Sequence, residues 1–217
     1  KTVITGLLVV ATPYSFKFLW APVLDQIRLP LLTTWLGQRR SWLLVIQILL
    51  MASIVALGAS DPKQGLAYMA ATAFLVAFFS ASQDIVVDAY RIEILEECEQ
   101  GAGAAATQAG YRVGLLVAGA APLALSDIIS WFWVYSLMAL LVLIGIGATF
   151  LAIEPSKAAV KAKSVGAPKI SFLTQIRESV IAPFTDFCSR RGWVWVLLFV
   201  LLYKYGDALA GAMANPF

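Results

Sequence analysis

The chain has 217 residues, of which 60% are hydrophobic and only 13% charged, and its formal net charge is +3. Soluble domains are roughly 45–50% apolar and about 25% charged, so this composition excludes an ordinary soluble domain and indicates a membrane protein. The absence of histidine excludes a histidine-ligated metal site and an imidazole proton relay. The sequence also has no glycine-rich phosphate loop, Ser-His-Asp set or metal-ligand cluster, so we expect no enzyme activity and no cofactor or metal.

The first predicted membrane span runs from about Val3 to Leu24 and carries a single charge, Lys17. Tyr14, Lys17 and Trp20 recur every three residues, so their side chains can share one face of a helix. Two interpretations of Lys17 stay open. The side chain could extend to the membrane surface, or it could face a cavity and meet a carboxylate such as Asp84.

A basic loop containing Asp25 and Gly37-Gln-Arg39-Arg40 leads to a featureless second span, predicted from about Trp42 to Leu57. After a short turn, the third span is predicted from about Leu66 to Tyr90. Each run is long enough to cross the hydrocarbon core of a bilayer as a helix.

The third span ends in the sequence Ser80-Ala-Ser-Gln-Asp84-Ile-Val-Val-Asp88-Ala-Tyr-Arg91. Ser80, Asp84 and Asp88 are spaced four apart and therefore share one helix face. Carboxylates inside a membrane are costly and mark substrate or proton pathways by default. The alternative is that Asp88 and Arg91 form a structural clamp at the membrane surface.

The fourth span, from about Ala102 to Leu125, has small residues at every fourth position, including Gly110 and Gly114. Such a ridge favours close helix packing without a chemical role. On another arc of the same helix lie Gln108, Tyr111 and Arg112. An arginine near mid-bilayer costs about 2.5–3.5 kcal/mol on the lenient scale, so Arg112 needs a ligand, water or an ion-pair partner.

The remaining elements define three predicted domains. The fifth span, about Trp131 to Ile153, completes a transmembrane domain of residues 1–153. Residues 154–191 form a polar linker, in which an apolar stripe starting at Ser171 predicts an amphipathic helix. Residues 192–217 form the start of a further transmembrane domain, which carries Lys204 and Asp207. The fold class is therefore an all-α transmembrane bundle.

Lys and Arg are concentrated in alternate loops, whereas the other loops contribute only Lys63. This asymmetry predicts that the basic loops are cytoplasmic and that the first span starts outside, so an earlier span is expected before Lys1. Cys98 and Cys188 lie in these basic loops, and we expect both to be free thiols on the reducing side.

Five spans, a basic linker and a further span resemble half of the major facilitator superfamily, whose transporters have two six-helix repeats. The chain would supply helices two to seven of twelve. It is more closely similar to AmpG-type muropeptide permeases of the bacterial inner membrane, and related acetyl-coenzyme A transporters share the plan. The resemblance rests on the following segments: Lys17-Phe-Leu-Trp-Ala-Pro22, Ser80–Ala89, Gly101–Ala105, Gly110–Gly114 and Leu202–Ala208.

The resemblance implies proton-driven import of anhydro-muropeptides in peptidoglycan recycling, by a monomer whose partners are lipids, the solute and protons, without nucleic acid. Cationic and hydrogen-bonding side chains are then expected to bind the substrate: Lys17, Gln83, Gln108, Tyr111, Arg112 and Lys204. The acidic residues Asp84, Asp88 and Asp207 are expected to carry the coupling proton.

Other functions remain open from the residues alone. Transport of another anionic solute, such as acetyl-coenzyme A, would use the same cations. A membrane subunit that does not transport is a further alternative, and residues 1–217 expressed alone are expected to insert without transporting.

Overall fold

The computed structural model describes residues 12–27, 29–60, 65–155 and 185–214, without the side chains of Gln26, Lys204 and residues 207–214. Within these ranges all regular elements are helices. The α-helices are α1 Ala21–Gln26, α2 Leu32–Leu36, α3 Gln38–Gly58, α4 Leu66–Ile94, α5 Gln100–Ser126, α6 Trp131–Leu151 and α7 Trp193–Ala214. Short 3-10 helices cover Lys17–Leu19 and Glu97–Glu99. The chain divides into two compact units, residues 1–167 and 168–217.

Within the described residues, four helices are long and apolar enough to cross a membrane, namely α3, α4, α5 with the 3-10 turn before it, and α6. They confirm the second to fifth predicted spans. The second and third spans were predicted too short, because α3 begins earlier, at Gln38, and α4 continues further, to Ile94. Both extensions carry charged residues, which apolar patterning leaves out of a span.

Helix α3 is the centre of the first unit and packs against both α4 and α6. Its Leu43 and Ile46 form a buried core with Val86 of α4 and Leu24 of α1. The α3–α6 contact contains a buried polar pair, in which the Thr149 hydroxyl donates to Gln47 Oε1 at 3.1 Å. Apolar surfaces and one satisfied polar pair therefore hold three helices together.

Helix α5 contains no buried residue and touches α4 and α6 through few side chains. Gly103 packs against Leu95 and Arg91, whereas an added Cβ at Gly110 or Gly114 would meet no atom within 4 Å. The close packing predicted for Gly110 and Gly114 is thus not made by any part of the chain that the structure describes.

The first predicted span is described only from residue 12. Residues 12–16 are helical, the 3-10 helix Lys17–Leu19 follows, and α1 begins at Ala21 with Pro22 in its first turn. The span is therefore an interrupted helix and not a continuous one.

The amphipathic helix predicted from Ser171 lies outside the described residues, and the three domain boundaries stay predictions. In the second unit, α7 covers most of the last predicted span.

Candidate functional site

Two segments build the polar site, the interrupted first span and the second half of α4. The Tyr14 hydroxyl and the Ser80 hydroxyl are 2.6 Å apart and share a hydrogen bond. Beyond the interruption, Trp20 Nε1 donates to the Ser82 hydroxyl at 3.1 Å, and its ring stacks at a tilt on Phe78 with centroids 4.9 Å apart. These contacts fix the first span along α4.

Asp84 lies one helical turn after Ser80, and its side chain is exposed. Lys17 attracts this carboxylate and Asp88 repels it. Within the described residues Lys17 and Asp84 form no ion pair, so both interpretations of Lys17 stay predictions. A lysine and an aspartate within apolar segments make this a polar region of the kind that intramembrane charges mark.

Tyr111 lies on α5, and within the described residues it forms no hydrogen bond with Tyr14 or Asp84. Tyr14 and Tyr111 are 44% and 63% exposed. Both phenols are therefore accessible to a ligand, and each can donate or accept a hydrogen bond.

Asp88 is part of a second arrangement on α4. It pairs with Arg91 at 3.3 Å, one turn further along the helix. The alternative interpretation expects such a pair, and its position at the membrane surface stays a prediction. Arg91 Nε and Gln83 Oε1 are both buried without a hydrogen-bond partner among the described residues. Gln83 thus has an unused acceptor next to Asp84 in the sequence.

Gln108 and Arg112 lie on the exposed surface of α5. Among the residues that the structure describes, neither forms a hydrogen bond or an ion pair, so Arg112 is a cation without a protein partner there. The structure does not bring Arg112 into contact with Asp84. The side chains of Lys204 and Asp207 lie outside the description, so their predicted roles stay predictions.

A second polar region, here called the charged cluster, comprises Asp25, Arg39, Arg40, Glu93 and Glu154. Arg39 Nη1 is 2.5 Å from Asp25 Oδ1, and the same guanidinium pairs with Glu93 through its Nε and Nη2 atoms. These three residues come from the end of α1, the start of α3 and the end of α4. The ion pairs of Arg39 therefore join α1, α3 and α4 to one another at one end of these helices.

Glu154 and Arg40 complete the charged cluster by capping two helices reciprocally. The Glu154 carboxylate accepts from the backbone N–H groups of Arg39 and Arg40, at 3.0 and 3.2 Å, at the start of α3. The Arg40 guanidinium donates to the carbonyls of Thr149 and Phe150, at 2.9 and 2.7 Å, at the end of α6. An anion at a helix N-terminus and a cation at a C-terminus are each stabilised by the helix dipole.

Sequence reasoning missed the pairing of Asp25, Glu93 and Glu154 with the two arginines. The signal was the Gly37-Gln-Arg39-Arg40 segment itself, because adjacent arginines at a helix start need acidic partners. Their partners lie far along the sequence, from 14 to 115 residues away. Residue spacing within one segment could not identify them.

An apolar groove of about 600 Å³ lies between α3 and α6 and is separate from the polar site. It is lined by Ile48, Met51, Ala52, Val55, Ala56, Ala59, Ser136, Ala139 and Leu140. None of these side chains is charged, so the groove offers no group that could bind an anion or transfer a proton.

An interrupted apolar helix that carries a lysine, packed along a helix with intramembrane aspartates, is typical of membrane transporters. The model of the Major Facilitator Superfamily matches residues 3–213, and the chain belongs to this superfamily. It is therefore an integral membrane protein of a transporter superfamily and not an enzyme.

Among curated proteins, the chain is 42% identical over 209 residues to the anhydromuropeptide permease of Escherichia coli K12, covering 96% of this chain and 40% of that permease. It is 33% identical over 215 residues to the Rickettsia conorii transporter AmpG 4, covering 99% of this chain and 51% of that protein. The chain thus spans about half or less of these relatives. The resemblance to AmpG-type permeases is confirmed. No solved structure matches the chain.

Proposed function

We propose that the protein is a secondary transporter that imports anhydromuropeptides across the bacterial inner membrane, driven by protons. The observation that carries the proposal is the polar region where the Tyr14–Ser80 hydrogen bond joins the first span to α4, with Lys17 and Asp84 each one helical turn further along these two segments. The similarity to the Escherichia coli permease supports the substrate class.

An anhydromuropeptide combines a sugar with an anionic peptide stem, and the exposed side chains suit both parts. Lys17 and Arg112 are the cations available to bind carboxylates. Tyr111 and the amides Gln83 and Gln108 have the donors and acceptors that sugar hydroxyls require. Lys204 would contribute a further cation from the second unit.

Proton coupling is assigned to Asp84 in this proposal. Protonation of Asp84 would remove its attraction for Lys17, and the ammonium group could then bind a substrate carboxylate. Asp88 is the weaker candidate because it already pairs with Arg91. Asp207 stays a candidate from the second unit. The concentration of positive charge in alternate loops supports an orientation with the basic loops in the cytoplasm.

The test is uptake of labelled anhydromuropeptide into membrane vesicles that contain the full-length protein, with an imposed proton gradient. Asp84→Asn keeps the size of the side chain but cannot release a proton, so it should abolish gradient-driven accumulation while the protein still reaches the membrane. Asp127→Asn is the matched control, because Asp127 is an exposed carboxylate at the end of α5.

Uptake by the Asp84→Asn variant at the unaltered rate would remove Asp84 from the mechanism. The same cations could also bind another anionic solute, such as acetyl-coenzyme A. Counterflow with labelled anhydromuropeptide against a labelled nucleotide thioester separates the two substrates, since only the transported one exchanges.

A further inference from the structure

We propose that the short helix α2 and the turn before it form a membrane anchor, in which Leu31 and Trp35 insert into the lipid interface where α3 begins. The partner is the bilayer itself, at the boundary between headgroups and acyl chains. The anchor uses none of the residues proposed to bind substrate or protons, so its test is independent of the proposed function.

The exposed side of α2 is apolar, which is unusual for a helix that faces water. Trp35 is 90% exposed, and Leu31, directly before the helix, is 84% exposed, whereas Leu32 and Leu36 are half-buried. Thr34 is also exposed, but its hydroxyl donates to the Leu31 carbonyl at 2.6 Å. None of these five side chains is charged, although the outer side of a helix in water is normally polar or charged. Such a patch indicates a surface that contacts a membrane or a protein.

The position of the patch favours the membrane as its partner. Helix α3 has 21 residues and is therefore about 32 Å long, which matches a hydrocarbon core of about 30 Å. Its first residue, Gln38, thus lies at a membrane surface. Trp35 precedes Gln38 by three residues, and a chain extends at most about 3.6 Å per residue, so Trp35 lies within roughly 11 Å of that surface.

Hydrogen bonds also hold the other end of this connection against α3. Trp42 Nε1, in the second turn of α3, donates to the Ile27 carbonyl at 2.8 Å. The Gln38 side-chain amide donates to the carbonyl of Asp25. Since both ends of the connection are fixed at the start of α3, the patch between them stays at the level where α3 enters the membrane.

The chemistry of Trp35 suits an interface. The indole ring combines a large apolar surface with a single N–H donor, and tryptophan is enriched where lipid meets water. Trp35 forms no hydrogen bond with any residue that the structure describes, so its N–H is available to a headgroup or to water.

The backbone at Leu31 is a second sign that this side chain has a partner. Leu31 has φ 72° and ψ −54°, in a three-residue turn closed by the Leu32 N–H and the Pro30 carbonyl at 2.9 Å. This γ-turn is rare and strained, and such strain persists only where the surroundings offset it. Burial of the exposed leucine in lipid would supply an offset that the protein contacts of this side chain do not.

The experiment places a fluorescent label at the anchor and determines whether lipid or water reaches it. In full-length protein whose native cysteines are replaced by serine, Leu31→Cys or Trp35→Cys is labelled with bimane and reconstituted into phosphatidylcholine–phosphatidylglycerol vesicles. Lipids with a nitroxide near the headgroup end of the acyl chain should quench both labels. This quenching should exceed that by a nitroxide at the chain terminus about twofold or more, because an interfacial helix is buried only about 5–10 Å deep.

The native Cys98, retained as the single cysteine, is the matched control. It is exposed and lies between Glu97 and Glu99, so a water-soluble nitroxide should quench its label and the lipid nitroxides should not. Circular dichroism of each labelled protein checks that its helices are intact. Quenching of both anchor labels by the water-soluble nitroxide, to the extent seen at Cys98, would overturn the proposal. Protection of both labels from all three nitroxides would also overturn it, because another part of the protein would then cover the patch.

Discussion

The Gln47–Thr149 hydrogen bond is a buried polar contact between two membrane helices, α3 and α6. Gln47 is only 4% exposed, and its amide lies against Gly145, where an added Cβ would come within 3.1 Å of Nε2. Glycine at 145 therefore makes room for a large amide in the α3–α6 contact. The Thr149 hydroxyl shares its one proton between Gln47 Oε1, at 3.1 Å, and the Gly145 carbonyl, at 2.9 Å.

We expect Thr149→Val to destabilise the protein by about 1 kcal/mol, because it leaves the Gln47 oxygen buried without a partner. The measurement is the thermal unfolding midpoint of the full-length protein in detergent. Combining it with Gln47→Leu replaces both partners by apolar groups and should recover most of the loss. Equal midpoints for Thr149→Val and the unaltered protein would show that the bond contributes nothing.

The residues of the candidate site differ in how well the sequence could predict them. Lys17 and Asp84 were selected because charges within apolar spans are costly, and a contact between them, one of two interpretations of Lys17, stays a prediction. Tyr14 was grouped only by its spacing with Lys17. Its hydrogen bond to Ser80 depends on how two distant segments pack, which periodicity within one helix cannot determine. Arg112 was expected to have a partner, and the described part of the chain supplies none.

At the scale of whole elements, the ends of α3 and α6 depend on each other. The Glu154 carboxylate can cap α3 only because residue 37 has no side chain. Gly37 has φ +89° and ψ 177°, a region that is essentially restricted to glycine. A Cβ at this position would collide with the side chain of Glu154.

Gly37→Ala should therefore destabilise the protein by about 1–3 kcal/mol through backbone strain alone, and displacement of Glu154 adds to this loss. Unfolding midpoints of the full-length protein test the prediction. Gly65→Ala is the control, because Gly65 has an extended φ of −176° and the nearest atom to an added Cβ is 3.9 Å away. Similar midpoints for the two alanine variants would contradict the capping arrangement.

The membrane-spanning helices were predicted correctly where an apolar run defines them. Their ends were predicted less well, because charged residues occur there. The four long spans follow directly from apolar runs of sufficient length. The first turn of α3 and the last turn of α4 contain Arg39 and Glu93, which pair with each other. Neutralisation of charge between helix ends lets both helices extend beyond their apolar runs.

In the whole molecule, the two cysteines can be used to determine which loops face the cytoplasm. Cys98 and Cys188 are both free and exposed, at the α4–α5 connection and shortly before α7. The distribution of basic residues predicts that both positions face the cytoplasm.

A maleimide that does not cross membranes should therefore leave both thiols unlabelled in intact cells and label them in inverted vesicles. The Cys98→Ser and Cys188→Ser variants assign the signal to each site. Labelling of either thiol from outside intact cells would reverse the predicted orientation. Labelling of only one would change the number of spans between them.

The interruption at Lys17–Leu19 restricts what can surround the first span at this point. In hydrocarbon, each peptide group left without a hydrogen bond costs several kcal/mol, so an irregular backbone persists only beside protein or an aqueous cavity. The Trp20 backbone N–H bonds to the Lys17 carbonyl, so part of this demand is met within the segment itself. We expect the remaining peptide groups of the interruption to lie against protein or water and not against acyl chains.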